Sequence, residues 1–134
     1  MANDRDRLPL VLFLLRISVF AVMLIWTIDK FVRPQHAQKI FETFYFIAGV
    51  AGTAVLVMGV CELILLLLFV AGFAKRITYG LVFLLHAGST FSSFKQYAAP
   101  FTGGNILFFA AWPMLAACFA LYLLRDRDTM LSVG

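Results

Sequence analysis

The sequence predicts an all-α integral membrane protein in which four transmembrane helices form one antiparallel bundle. Of its 134 residues, 63% are hydrophobic and only 13% are charged, and the mean hydropathy is +0.94, far outside the range of soluble domains. Four apolar stretches each have roughly 20 residues, the length that an α-helix needs to cross a bilayer. The chain is long enough for one domain, which we expect to span residues 1–134.

The first two predicted helices cover residues 8–31 and 46–73. Pro9 suits the first turn of a helix, because its missing N–H would have no partner there. Arg16 lies inside the first stretch and no small-residue cleavage site follows it, so the sequence favours a retained helix over a signal peptide. The second stretch contains small residues such as Gly59, which permit close approach of a neighbouring helix.

The third and fourth predicted helices cover residues 77–97 and 105–124. A tight basic turn at 72–76 predicts that the second and third helices form an antiparallel hairpin. The fourth helix follows a segment with proline and glycine, and Asn105 is a candidate N-cap. Pro113 predicts a kink near the middle of this helix, because proline removes a backbone hydrogen bond.

Basic residues flank the predicted spans and form no nucleic-acid-binding patch. More of them lie on the side of the two termini than on the opposite side. The positive-inside rule therefore predicts a multi-pass membrane protein with both termini in the cytoplasm. The residues on the cytoplasmic side are Arg5, Arg7, Lys75, Arg76, Arg125 and Arg127.

Three ionisable side chains interrupt the apolar stretches, namely Arg16, Glu62 and His86. A carboxylate within a membrane helix is costly and is retained where it pairs, titrates or binds a ligand. A rise of about 1.5 Å per residue places the three at roughly 10 to 16 Å from one surface, so we expect a buried polar network. Two interpretations stay open: Arg16 and Glu62 pair only to fix the packing, or the layer is a proton-linked or ligand-binding site in which His86 titrates.

Further polar residues follow the inward-facing stripes of the predicted helices. The candidates for a ligand or proton path are Thr27, Lys30, Tyr79, Thr90, Ser93 and Trp112. Another group lies near the opposite surface and predicts either solvated helix ends with snorkelling side chains or a docking surface. Its members are Asp29, Lys95, Tyr97 and Asn105.

The sequence lacks the motifs of several site classes. It has no spacing typical of a metal site, no Gly-rich phosphate loop and no nucleophile elbow. Cys61 and Cys118 lie within predicted helices without a CxxC spacing, so buried small side chains are favoured over thiol chemistry.

Four short features occur in order along the chain: Leu15-Arg16, Asp29-Lys30-Phe31, the apolar run from Glu62 to Gly72, and the basic pair Lys75-Arg76. In this order they resemble the DoxX-like family of small four-helix membrane proteins, which includes relatives of the methylamine-utilisation protein MauE. The resemblance implies a bacterial inner-membrane protein associated with redox systems such as thiosulfate or quinone oxidation.

Together, the polar layer and the resemblance predict an accessory subunit of a membrane redox complex, more a noncatalytic subunit than an autonomous enzyme. We expect a quinone or lipid site beside the polar layer, with Trp112 among its apolar walls, and no covalently bound cofactor. The expected partners are the lipid bilayer and either another membrane protein or further copies of this chain. Two alternatives stay open: a small oligomeric proton-linked transporter or channel that uses Glu62 and His86, and a purely structural assembly subunit.

Overall fold

The computed structural model describes residues 4–33, 35, 39 and 52–133, and within these residues it contains helices and no strand. The α-helices are α1 (Asp4–Val32), α2 (Gly52–Ala71), α3 (Lys75–Ser92), α4 (Phe94–Ala98) and α5 (Ala111–Leu123). Two 3₁₀-helices cover Asn105–Ala110 and Arg125–Arg127. The start of the predicted second helix, residues 46–51, lies outside the described residues.

Within the described ranges, three helical stretches are long and apolar enough to cross a membrane. They are Arg7–Val32, Ala54–Ala71 and Asn105–Leu123. The prediction of a helical membrane protein is therefore confirmed, whereas a crossing by α3 stays a prediction. Helix α3 differs from the others because it begins with Lys75 and Arg76 and carries a polar stripe that includes His86.

The four long helices pack in a ring. Helix α1 contacts α2 and α5, and α3 contacts the same two helices. Apolar side chains from all four helices meet inside this ring. The buried members of this core are Leu12, Val19, Met23, Leu66, Phe69, Tyr79, Val82, Cys118 and Leu121.

Helix α3 turns its polar side inward and its apolar side outward. Its buried residues include Thr78, Tyr79, His86 and Thr90. Ile77, Leu84 and Phe91 on the same helix are 64%, 63% and 61% exposed. A helix in water shows the opposite distribution, because apolar side chains are normally the buried ones. The exterior of α3 therefore suits lipid better than water.

The turn between α2 and α3 is a Schellman motif. The N–H of Phe73 donates to the carbonyl of Leu68 and the N–H of Gly72 to that of Phe69, both at 3.0 Å. Gly72 has a φ of 73°, a conformation that glycine adopts without steric cost. The chain thus reverses within the basic segment where the sequence predicts a turn, and α2 packs against α3.

The predicted third and fourth helices are each divided in the structure. The third ends at Ser92, and the short helix α4 follows after Ser93. The fourth starts as the 3₁₀-helix Asn105–Ala110 and becomes α-helical at Ala111, so the change in helix type precedes Pro113 instead of falling at mid-helix. Proline cannot donate to the carbonyl four residues earlier, which weakens a regular α-helix just there.

Asn105 does not act as the predicted N-cap. The N-cap position belongs to Gly104, which has no side chain to make a capping hydrogen bond. The Asn105 side-chain Nδ2 instead donates to the carbonyl of Ala99 at 3.0 Å. It therefore ties the start of the 3₁₀-helix to the residue that follows α4.

Candidate functional site

The polar side chains of the bundle form three separate groups. We call the end that carries the α2–α3 turn and residues 125–133 the terminal end, and the end that carries α4 the distal end. The terminal cluster contains Arg16, Tyr79 and Asp128; the middle cluster contains Thr27, Lys30 and Glu62. The third group surrounds His86.

The terminal cluster is a buried ion pair with a tyrosine. Arg16 and Asp128 both have 0% exposed side chains, and Arg16 Nη1 lies 3.2 Å from Asp128 Oδ1. The Tyr79 hydroxyl donates to Asp128 Oδ2 and lies 3.4 Å from Arg16 Nη1. Two opposite charges thus neutralise each other inside the bundle, which meets the requirement that a buried charge be paired.

Backbone carbonyls of the tail, residues 125–133, accept hydrogen bonds from the Arg16 guanidinium. Arg16 Nη2 donates to the carbonyl of Met130 and, at 3.2 Å, to that of Leu131. Lys75 Nζ donates to the carbonyl of Asp128. Burial lowers the pKa of Lys75 below its ordinary value; the Asp128 charge opposes this effect, and the Arg16 charge adds to it. The tail is therefore attached to both α1 and α3.

The tail also packs against the α2–α3 turn. The N–H of Val133 donates to the carbonyl of Ala71 at 2.9 Å. A Cβ placed on Gly72 would lie 2.3 Å from Ser132 Oγ, so only glycine allows the tail to lie this close. The tail therefore closes the terminal end over Arg16.

The middle cluster joins α1 to α2. Lys30 Nζ lies 3.1 Å from Glu62 Oε2, and Thr27 Oγ1 lies 3.2 Å from the same oxygen. Gly59, one turn before Glu62, lets α1 approach, since a Cβ there would lie 3.0 Å from the Phe31 ring and 3.5 Å from Lys30 Cβ. The Lys30 and Glu62 side chains keep 16% and 25% of their surface exposed. This pair is therefore less secluded than Arg16 with Asp128.

His86 is buried between α1 and α5 with one ring nitrogen satisfied. Its Nε2 lies 2.9 Å from the carbonyl of Ala111, an acceptor, so the neutral imidazole carries its hydrogen on Nε2. Nδ1 then presents a lone pair, and among the described residues it has no hydrogen-bond partner. The Trp26 ring stacks on the imidazole with centroids 6.0 Å apart. His86 thus offers one unused acceptor beside an aromatic face.

Aromatic rings continue from His86 toward the distal end. The Trp112 ring lies 5.6 Å from Phe91 and 5.5 Å from Tyr97, and Tyr97 lies 5.2 Å from Phe109. Thr90 donates to the carbonyl of His86, at 2.7 Å within α3. An aromatic group, made of Phe91, Tyr97, Phe109 and Trp112, therefore lies toward the distal end of the bundle.

The structure does not bring Arg16, Glu62 and His86 into the one expected network. Arg16 pairs with Asp128, Glu62 pairs with Lys30, and His86 bonds to a backbone carbonyl. The reason is height: Glu62 contacts Thr27, which follows Arg16 along α1 by three turns, or about 16 Å. The expected pairing of Arg16 with Glu62 is replaced by two separate pairs.

The predicted path residues are divided among the same three groups. Thr27 and Lys30 contact Glu62, Tyr79 belongs to the terminal cluster, and Trp112 belongs to the aromatic group. Ser93 bonds to the carbonyl of Ser89, its own helical neighbour, at 3.1 Å. These residues therefore form no single chain of contacts through the described bundle.

The predicted group near the distal surface also separates. Asp29 pairs with Arg33 at 2.7 Å, one helical turn further along. Asn105 bonds to Ala99, Tyr97 packs on Trp112, and Lys95 is exposed. This arrangement fits the interpretation of solvated helix ends.

Asp128 is the site residue that the sequence analysis missed. It lies beyond the last predicted helix, so helical periodicity assigned it no position. One signal was available: the chain has only seven acidic residues, and a buried Arg16 needs one of them as a partner. On the side of the termini the acidic candidates are few, and they include Asp126 and Asp128.

The two cysteines differ in burial. Cys118 is buried as expected, but Cys61 is exposed on the outside of α2, which corrects the expectation that both are buried. The described part of the chain contains no cluster of three His, Cys, Asp or Glu residues that could hold a metal ion.

Comparison of the chain with protein-family models, curated proteins and solved structures finds no match. The resemblance to the DoxX-like family therefore stays an expectation from short motifs.

Proposed function

We propose that the chain is a noncatalytic accessory subunit of a membrane redox complex and that it binds the headgroup of a quinol beside His86. The observation that carries this proposal is the buried Nδ1 of His86, which has no partner among the described residues. A buried polar atom without a hydrogen bond is costly, so a ligand that supplies the bond would bind there with a gain.

The protonation of His86 selects the kind of ligand. Because Nε2 faces a carbonyl, Nδ1 of the neutral ring can only accept a hydrogen. A quinol hydroxyl can donate to it, whereas a quinone carbonyl cannot. The stacked Trp26 ring adds an aromatic surface of the kind that binds flat ring systems. We therefore expect the reduced form to bind more tightly than the oxidised form.

The proposal includes four membrane crossings, with α3 as the fourth. The outward apolar side chains of α3 support this topology, because exposure of Ile77, Leu84 and Phe91 to water would be unfavourable. The excess of basic residues at the terminal end supports a cytoplasmic location for that end, and the resemblance of the short motifs to the DoxX-like family supports a bacterial inner membrane.

A second candidate is a purely structural assembly subunit. It is favoured by the two internal ion pairs, Arg16 with Asp128 and Lys30 with Glu62. In each pair the two opposite charges interact across the bundle and stabilise its packing. The same pairs give less support to a proton-linked transporter, because the Glu62 carboxylate is already paired and the tail closes the terminal end.

The test uses two substitutions of His86, each of which keeps the hydrogen-bonding group at one ring nitrogen and removes the group at the other. In His86→Gln, the side-chain amide can still donate to Ala111 from the Nε2 position, but the acceptor at Nδ1 is lost. In His86→Asn, an acceptor remains near the Nδ1 position and the bond to Ala111 is lost. Binding of a short-chain quinol to the purified protein is followed by quenching of tryptophan fluorescence, since Trp26 stacks on His86.

We expect His86→Gln to weaken quinol binding roughly tenfold, the equivalent of one hydrogen bond, and His86→Asn to weaken it less. Equal quinol affinity in the wild type and His86→Gln would contradict the proposed site. Copurification from the native membrane then tests the subunit role: isolation with a redox enzyme supports it, and isolation with partners that have no redox activity favours the structural candidate.

A further inference from the structure

A groove opens at the terminal end between the start of α3 and the start of the tail. Its volume is about 480 Å³ and its lining residues are Ala74, Lys75, Arg76, Arg125, Asp126 and Thr129. Three of these side chains are cationic and one is anionic, so the groove carries an excess of positive charge. Neither the quinol proposal nor the ion pairs within the bundle account for this excess.

The cationic side chains approach the groove from two elements. Lys75 and Arg76 form the first turn of α3, where the helix dipole also favours an anion. Arg125 is oriented by α5: its Nη1 donates to the carbonyl of Tyr122 at 2.7 Å and its guanidinium lies 4.6 Å from the Tyr122 ring centre. A guanidinium has five N–H donors, so this arrangement leaves others for a ligand.

The groove lies where the apolar helices end. The candidate spans that border it stop at Ala71 and Leu123, a few residues before its lining begins. In a membrane this is the depth of the lipid headgroups, where basic residues attract anionic lipids. An anion there would also oppose the effect of burial on Lys75, whose pKa is lowered in the structure.

We propose that this groove binds a phosphate group, held by Lys75, Arg76 and Arg125 and carried by an anionic phospholipid or by a soluble phosphate. Phosphate matches the fork of arginine donors, and the Thr129 hydroxyl in the lining can supply a further hydrogen bond. The site does not depend on a quinol beside His86.

The experiment measures binding of phosphatidylglycerol to the full chain in neutral detergent by native mass spectrometry. Arg76→Gln and Arg125→Gln each remove one charge from the groove, and we expect each to weaken binding about fivefold. Arg127→Gln is the matched control, because Arg127 is an exposed residue of the same tail that does not line the groove. It should change binding less than about twofold.

Further measurements identify whether the phosphate belongs to a lipid or to a soluble molecule. They also test whether weaker binding results from unfolding of a variant. Displacement of the lipid by inorganic phosphate assigns the site to soluble phosphates, and resistance to displacement assigns it to lipid. Arg125→Lys keeps the charge and should keep most of the binding, and unfolding in detergent shows whether each variant is folded. The proposal is overturned if Arg127→Gln weakens binding as much as the groove variants, or if phosphatidylcholine binds as tightly as phosphatidylglycerol.

Discussion

Arg16 on α1 and Asp128 in the tail form an ion pair with an Nη1–Oδ1 distance of 3.2 Å, and neither side chain is exposed. The pair joins the first long helix to a segment that lies beyond the last one. Lys75 and Tyr79 on α3 bond to the same aspartate, so three separate parts of the chain meet there.

Removal of one member of this pair should destabilise the protein strongly. We expect Asp128→Asn or Arg16→Met to lower the free energy of unfolding by about 3 to 5 kcal/mol, because each leaves a buried charge without its counter-ion. Thermal unfolding in detergent measures the loss. Asp126→Asn is the control, since Asp126 is exposed two residues away and should change stability by less than about 1 kcal/mol.

Removal of both members should be far milder. In the double variant Arg16→Met/Asp128→Leu no buried charge is left, and apolar side chains of similar size fill the space, so we expect most of the stability to return. A double-mutant cycle then gives the coupling energy of the pair. If the stability losses of the two single variants simply add in the double variant, Arg16 and Asp128 do not interact as an ion pair.

Substitution of Gly72 tests the attachment of the tail to the α2–α3 turn. Gly72→Ala should destabilise by about 1 to 2 kcal/mol for the left-handed backbone alone, and the clash with Ser132 should also loosen the tail. Faster proteolysis of the tail would reveal the loosening. At Gly88 an added Cβ meets no atom within 4 Å, so Gly88→Ala should be neutral or slightly stabilising.

Neutralisation of Glu62 should have a smaller effect than neutralisation of Asp128. Glu62→Gln keeps an oxygen for Thr27 and Lys30 but removes the charge, and its side chain is already 25% exposed. We expect a loss of about 1.5 to 3 kcal/mol, the range for a hydrogen bond to a charged group. Lys30→Met should lower the free energy of unfolding by a similar amount. Thermal unfolding of these two variants and of Asp128→Asn under the same conditions ranks the three losses. A larger loss for Glu62→Gln than for Asp128→Asn would contradict the expectation that the more deeply buried ion pair contributes more to stability.

Crossing of the membrane by α3 can be tested with cysteines at its two ends. In a background with Cys61 and Cys118 replaced by alanine, Lys95→Cys reports the distal end of α3 and Arg76→Cys its terminal end, and both positions are exposed. A membrane-impermeant maleimide should label them from opposite sides of the membrane, with Arg76→Cys on the cytoplasmic side. Labelling from the same side would show that α3 does not cross.

The helices were predictable from the sequence because apolar stretches of membrane length are a strong signal. Gly72 and the basic residues after it also identified the α2–α3 turn. The ends of the third and fourth helices were less predictable: the break at Ser93 and the 3₁₀ start at Asn105 depend on local backbone geometry that composition does not reveal.

Most residues of the candidate site were predictable from the sequence, but the partner that each charged residue contacts was less predictable. Arg16 and His86 are buried as expected, and Glu62 is ion-paired. Which charges meet depends on the relative height of neighbouring helices and on a tail without periodicity. Asp128 lies in that tail, so a pattern search restricted to helices could not find it.

The tail has a consequence for biosynthesis. A ribosome makes α1 long before residues 128–133, so Arg16 enters the membrane without its carboxylate and keeps this state until all four long helices have been made. The Arg16–Asp128 ion pair therefore forms only after all four long helices and the tail have been made. Bulk added directly after Val133 would lie beside the contact between the tail and the α2–α3 turn, which is made in the same late step.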